Sequence, residues 1–136
     1  MKTQAIAIAI LLSLVACKTT GDAPTWSGHK PLTADQIKQV FVGNTFIGTS
    51  GRTGNTFEGV YKKDGTVRVV NSSGRKDSGT WRTTKDNTLC TKYAWLRGGT
   101  EVCRRYYKVG DEIQSVRLDG TPSSTFKVIK GNPKGL

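Results

Sequence analysis

Histidine and cysteine are scarce in this sequence, which has one histidine, His29, and three cysteines. A zinc centre needs several His or Cys ligands at close spacing, and a hydrolase needs a nucleophile, a base and an orienting group held together. His29 lies in a polar stretch far from Cys90 and Cys103, so the sequence offers no such cluster. It therefore predicts no metal site, no cofactor and no catalytic residue, and we expect a protein that is not an enzyme.

Acidic residues are also few, with 10 Asp and Glu against 21 Lys and Arg. Glu58 and Glu101 fall inside predicted strands, and two carboxylates can in principle form a glycosidase pair. We interpret them instead as solvated strand positions or partners of nearby arginines. Four aspartates stand beside Gly, Asn or a strand end and are interpreted as turn residues: Asp64, Asp86, Asp111 and Asp119.

No apolar run is long enough to span a membrane, which takes roughly 18 residues or more. The longest, residues 5–16, follows Met1 and Lys2 and ends at small residues, which is typical of a secretory signal. We therefore predict a signal peptide over residues 1–16.

The sequence Leu14-Val15-Ala16-Cys17 resembles a bacterial lipobox. The resemblance implies cleavage before Cys17 and a diacylglyceryl group on its thiol, so that an N-terminal lipid holds the protein on a membrane. Lys18 is then compatible with sorting to the outer membrane. The alternative is an ordinary signal peptide with an incidental cysteine.

The remaining chain is long enough for one domain. Residues 17–30 contain Pro and Gly without apolar periodicity and predict a lipidated, flexible tether. We assign residues 31–131 to a single β domain and residues 132–136 to a tail. At its start, Thr33 and Gln36 form a capping-box pattern, Ile37 and Phe41 recur at helical spacing, and Gly43 ends the predicted short helix.

From residue 45 onward, eight short β-rich runs are separated by turn residues such as Asp64-Gly65 and Asp119-Gly120. Short links between consecutive strands favour an antiparallel up-and-down meander. We predict a mainly β protein, a small barrel or sandwich of about eight strands preceded by one short helix.

Cys90 and Cys103 form an even pair in an exported chain, flanking a predicted hairpin with Gly98-Gly99 at its turn. Oxidising compartments allow disulfides to persist, so we predict a structural bridge. The alternative is a reactive or metal-binding pair.

Several motifs in this order resemble a family of small exported proteobacterial proteins of unknown function. They are the Leu-Thr-x-x-x-Ile opening at residues 32–37, the Gly-x-Trp strand at 79–81 and the Leu-Cys…Cys pair at 89–103. The family has no established activity, so the resemblance supports the compartment, the fold class and the disulfide, and implies no catalytic residue.

Basic charge is the most prominent feature, because the chain beyond the signal keeps a net side-chain charge of about +10. Such an excess concerns partners rather than fold. The densest basic and aromatic stretch lies between residues 91 and 108. Its candidate residues for an anionic surface are Lys92, Arg97, Arg104, Arg105 and Lys108, with the candidate aromatic contacts Tyr93, Trp95, Tyr106 and Tyr107.

We therefore expect a membrane-anchored envelope lipoprotein that acts as a non-catalytic binding or structural module, with a basic surface for anionic lipid, lipopolysaccharide, wall polymer or an acidic envelope protein. Nucleic acid fits the composition but not the compartment. Alternatives are a small-barrel inhibitor or accessory subunit, for example of a protease, and a barrel cavity for a small apolar ligand. The aromatics could also be core residues with dispersed charges around them.

Overall fold

A computed structural model describes residues 24–136. One helix, α1 (Ala34–Phe41), precedes eight antiparallel strands that close into a barrel in sequence order, with β1 paired to β8. This closure confirms the predicted meander and decides for the barrel against the sandwich. The strands are β1 Thr45–Ser50, β2 Thr56–Tyr61, β3 Thr66–Asn71, β4 Lys76–Thr83, β5 Leu89–Tyr93, β6 Val102–Val109, β7 Glu112–Arg117 and β8 Pro122–Ile129.

Helix α1 begins at the predicted capping box, in which Thr33 accepts from the Gln36 N–H and the Gln36 side chain accepts from the Thr33 N–H. Its amphipathic face buries Ile37 and Phe41 in the barrel core. The helix is followed by Gly43, whose φ of 78° turns the chain into β1. Thus α1 covers one end of the barrel, which we call the closed end.

In an up-and-down barrel, successive links alternate between the two ends. The links after β2, β4 and β6 lie at the closed end with α1. The links after β1, β3, β5 and β7, residues 51–55, 72–75, 94–101 and 118–121, lie at the opposite end, which we call the mouth. Side chains placed far apart in sequence therefore meet at the mouth.

The closed half of the barrel is filled by aromatic rings. The Phe41 ring packs edge-on against Tyr106, Tyr61 and Phe126, with centroids 5.3, 5.8 and 6.0 Å away. Gly59 makes room for this packing, since a Cβ there would collide with the Phe46 ring and with the backbone oxygen of Arg68.

Cys90 and Cys103 are directly opposed in the β5–β6 ladder and form the predicted disulfide. This ladder is short, with three residue pairs. Beyond Leu89, the first residue of β5, the Leu32 N–H donates to the Tyr106 carbonyl at 2.8 Å, so the segment before α1 continues the hydrogen bonding along β6.

Ordered structure begins earlier than the predicted start near residue 31. Trp26 and His29 form a tight turn with reciprocal backbone hydrogen bonds of 2.9 Å. Trp26 also packs on the Tyr107 ring, whose hydroxyl donates to the Pro24 carbonyl at 2.7 Å. The part of the predicted tether from residue 24 to 30 is therefore fixed to the outside of β6.

The predicted tail, residues 132–136, is also folded. Lys134 forms an ion pair with Glu58 at 2.7 Å, and the Asn132 side chain bonds both the N–H and the carbonyl of Leu136. Residues 24–136 hold α1, the disulfide and eight strands that close on one another as a barrel.

The predicted signal peptide, the predicted lipidation site Cys17 and residues 18–23 lie outside the described residues. Within residues 24–136, no helix is long and apolar enough to cross a membrane.

Candidate anion-binding site

The mouth contains a cavity of about 500 Å³ lined by five of the eight arginines in the sequence. One arginine comes from each of the four mouth links or the strand end beside it, and one comes from the interior of β6. We call these residues the arginine ring: Arg52, Arg75, Arg97, Arg104 and Arg117. The same cavity is lined by apolar side chains, including Phe57, Val69 and Leu96.

Asp77 fixes the 94–101 link that carries Arg97. Its buried carboxylate accepts hydrogen bonds from the N–H groups of Leu96, at 2.9 Å, and Trp95, at 3.2 Å, and also from the N–H of Ser78. Burial alone would raise the pKa of Asp77, but these N–H groups outweigh it and hold that pKa below its ordinary value. The Asp77 carboxylate thus holds the backbone of the 94–101 link in place, and its oxygens are already hydrogen-bonded to N–H groups of the chain.

Two members of the arginine ring, Arg75 and Arg97, contact aromatic side chains at the rim of the cavity. The Arg75 guanidinium lies 3.6 Å from the centroid of Trp95, and the Arg97 guanidinium lies 5.7 Å from that of Tyr93. Such contacts place a cation without neutralising it. Arg97 has a positive φ of 55° and its Nη1 donates to Thr91 Oγ1 at 3.1 Å, so its side chain turns back toward the barrel interior.

Arg104 and Arg117 are directly opposed in the β6–β7 ladder, and both are half-buried. Burial lowers the pKa of the Arg104 guanidinium, and the cations of Arg97 and Arg117 lower it further. Neutral groups position both side chains: Arg104 Nε donates to Ser123 Oγ at 3.1 Å, and Arg117 Nη1 donates to the Pro122 carbonyl at 2.7 Å. The half-buried Arg104 and Arg117 and the exposed Arg97 are therefore neighbouring cations in the cavity.

Among residues 24–136, no member of the arginine ring forms a salt bridge. The three ion pairs of this region are Arg82 with Glu101, Lys127 with Glu112 and Lys134 with Glu58. A guanidinium has five N–H donors in a planar fork that matches carboxylate and phosphate. The mouth is thus a concave, apolar-walled site with several positive charges and no bound carboxylate of its own.

The structure divides the predicted basic stripe between two surfaces. Arg97 and Arg104 join the mouth, whereas Lys92, Arg105 and Lys108 do not line it. Lys92 and Lys108 are exposed and Arg105 is half-buried on the outward face of β6.

The candidate aromatic contacts are divided as well. Tyr93 and Trp95 line the mouth cavity. Tyr106 belongs to the barrel core, and Tyr107 is buried on the outside beneath the 24–30 segment. Neighbouring tyrosines of β6 are therefore buried on opposite sides of the strand, Tyr106 by the core and Tyr107 by the N-terminal segment.

Sequence reasoning missed Arg52, Arg75 and Arg117 and the apolar wall residues Phe57 and Val69. A usable signal was present: arginine recurs in or beside alternate links of a predicted meander, and alternate links meet at one end of a barrel. Local density of charge along the chain identified only Arg97 and Arg104 of the arginine ring.

One trio of possible metal ligands lies within the described residues: Cys90, Glu101 and Cys103. The two sulfurs are bonded to each other, and the Glu101 carboxylate is held by Arg82 at 2.6 Å, so this group has no thiolate to offer while the bridge is intact. Glu58 and Glu101 each form an ion pair, Glu58 with Lys134 and Glu101 with Arg82.

No family model, curated protein or solved structure matches this chain.

Proposed function

We propose that this protein is a non-catalytic binding module of the bacterial cell envelope, held to the membrane by a lipid on Cys17, and that it binds an anionic group in the mouth of its barrel. The single observation that carries the binding proposal is the half-buried Arg104 beside the cations of Arg97 and Arg117, without a carboxylate partner among residues 24–136. Burying a cation beside two others costs free energy, and an incoming anion offsets that cost.

The choice of arginine supports recognition of carboxylate or phosphate. A lysine would supply a compact point charge, whereas a guanidinium can donate two parallel hydrogen bonds to one anionic group. The cavity volume falls within the range of about 300–1,000 Å³ that is usual for small-ligand sites. A concave, partly desolvated site also strengthens each ionic contact relative to a flat exposed surface.

The experiment is a titration of residues 24–136 with inorganic phosphate and with acetate, followed by NMR signals of the backbone and of arginine Nε groups. We expect shifts concentrated at Arg97, Arg104 and Arg117 that weaken with added salt. Arg104→Met should abolish them, whereas the matched variant Arg105→Met, which removes the same charge from the outer face of β6, should leave them unchanged. Shifts spread evenly over Lys92, Arg105 and Lys108 would contradict the proposal.

A second function is favoured by one observation: the two Gly- and Ser-rich links 51–55 and 72–75 both project at the mouth, and each carries an exposed arginine, Arg52 and Arg75. An accessory subunit or inhibitor could use this rim against an acidic envelope protein. Crosslinking from position 53 in the envelope, with Arg52→Glu and Arg75→Glu as loss-of-contact variants, tests it. A rim contact of this kind would survive Arg104→Met.

A further inference from the structure

The mouth cavity has two chemically different walls. Arg97, Arg104 and Arg117 lie on the side of β5 to β7, together with Leu96 and Val102. On the opposite side, Phe57 of β2 and Val69 of β3 line the cavity, and the two arginines of that side, Arg52 and Arg75, are exposed in the links. An inorganic anion would contact the first wall and leave the second against water. The cavity therefore has more apolar surface than recognition of a bare anion requires.

The apolar wall is a built surface. The Phe57 ring lies over Gly48, where a Cβ would collide with it, and it packs edge-on against Phe126 at 5.8 Å and Phe46 at 6.2 Å. Below these rings, Phe41 of α1 fills the closed half of the barrel. Because the rings interlock, the cavity is a blind pocket with a rigid apolar floor.

We infer that the ligand is an anionic amphiphile, in which a carboxylate or phosphate contacts Arg97, Arg104 and Arg117 and an alkyl or acyl chain lies against Phe57 and Val69. This inference rests on the proposed anion site and adds the apolar half of the ligand. The same chemistry is present in a free acyl acid or phosphate and in an anionic membrane lipid. A free molecule can enter the blind pocket end-on, whereas a bilayer lipid must first leave its membrane.

The test compares three probes on residues 24–136 by calorimetry: octyl phosphate below its micellar concentration, inorganic phosphate and octanol. We expect octyl phosphate to bind at least about tenfold more tightly than either of the others. In the series butyl, hexyl and octyl phosphate, each methylene that enters the pocket should tighten binding by up to about fourfold, as expected from about 0.8 kcal/mol per buried methylene.

The variants separate the two halves of the site. Arg104→Met should remove the preference of the protein for octyl phosphate over octanol. Val69→Thr, which keeps the side-chain shape but replaces one methyl group with a hydroxyl, should weaken the binding of octyl phosphate and leave the binding of inorganic phosphate unchanged. Since Val69 is buried, Leu96→Gln, at a half-buried position of the same cavity, provides a second polar change outside the fully buried core.

The outcomes distinguish the two proposals. Equal binding of phosphate and octyl phosphate would overturn the amphiphile and leave the anion site standing. Binding of octanol as tightly as octyl phosphate, or binding of neither anion, would overturn both. Binding to anionic vesicles is measured last. Vesicle binding that is lost in Arg104→Met supports extraction of a membrane lipid. Vesicle binding without octyl phosphate binding overturns the proposed pocket ligand and assigns the contact to the outer surface.

Discussion

Replacing Arg104 with methionine should make the ligand-free protein more stable while it removes anion binding. At about 4 Å, two unit charges repel by about 1 kcal/mol in bulk water and about 4 kcal/mol at an effective dielectric constant of about 20, and the repulsion falls as the separation increases. Both Arg97 and Arg117 act on Arg104 in this sense. Because the mouth opens to solvent, we take values near the lower bound, about 1 to 2 kcal/mol for the two neighbours together.

Two further contributions adjust this figure. The substitution loses the bond from Arg104 Nε to Ser123 Oγ, at 3.1 Å, which costs about 1 kcal/mol. It also removes the cost of keeping a cation half-buried, since desolvation is the largest influence on the pKa of Arg104. Methionine keeps most of the apolar part of the side chain, so its packing is retained. The expected net change is a gain of about 1 kcal/mol in the free energy of unfolding, a value inferred from these opposing terms.

The assay is denaturant unfolding of residues 24–136 at low and high ionic strength, without phosphate or sulfate. The gain should shrink with added salt, since salt screens exposed charges. Arg105→Met is the matched control and should change stability by less than about 0.5 kcal/mol. A loss of stability for Arg104→Met, or a gain that salt does not affect, would refute the view that crowded cations destabilise the empty mouth.

Four other predictions concern the fold and the frame of the site. Removing the disulfide with Cys90→Ser and Cys103→Ser should cost about 3 kcal/mol by the chain-entropy account of a 13-residue separation, measured by urea unfolding; no loss would show that the bridge constrains little. Asp77→Ala should cost about 2 kcal/mol and increase amide exchange in the 94–101 link, because three N–H groups lose their acceptor; unchanged exchange would contradict its supporting role. Gly59→Ala should cost about 2 kcal/mol by overpacking, and a thermal midpoint equal to wild type would contradict the close packing seen there. Burial raises the pKa of all four tyrosines, so the free energy of unfolding should fall as the pH rises above about 10. The loss should reach up to about 1.4 kcal/mol per pH unit for each tyrosine that stays protonated in the folded state. Tyrosinate absorbance that appears near pH 10 before the protein unfolds would refute this.

The sign of the alkaline prediction follows from linkage. In the folded state these phenols keep their protons at a pH where the unfolded chain has released them, so rising pH favours unfolding. Asp77 behaves in the opposite sense, because its folded pKa lies below the unfolded value. Its contribution is present above about pH 4 and is lost as the pH falls through the folded pKa.

The strand pattern, the capped helix and the disulfide pair were predictable because each is written in local sequence. Turn residues such as Asp64-Gly65 mark the links, and Thr33 with Gln36 marks the start of α1. A meander with short links leaves few alternatives for strand order. Barrel and sandwich remained open, because closure depends on the β1–β8 pairing between residues about 80 positions apart.

The division of residues between the inside and the outside was less accessible. Period-two alternation groups Arg104 with Tyr106 and Arg105 with Tyr107, but it does not say which group faces the interior. Both tyrosines are buried, one by the core and one by the segment that contains Trp26. The charged residues of this stretch therefore lie on different surfaces of the folded chain, and only Arg97 and Arg104 line the mouth cavity.

The arginine ring shows what the barrel topology adds to such a sequence. Arg52, Arg75, Arg97 and Arg117 are about 20 residues apart along the chain, a spacing of two strands with their links. In an open, extended chain this spacing would disperse their charge, whereas in a closed meander every second link returns to the same end. Arg104 adds a charge from inside β6, where a filled barrel would have an apolar side chain. The rings above α1 fill the closed half and stop below the mouth, so the same packing that stabilises the barrel also sets the depth of the pocket in which these cations meet an apolar wall.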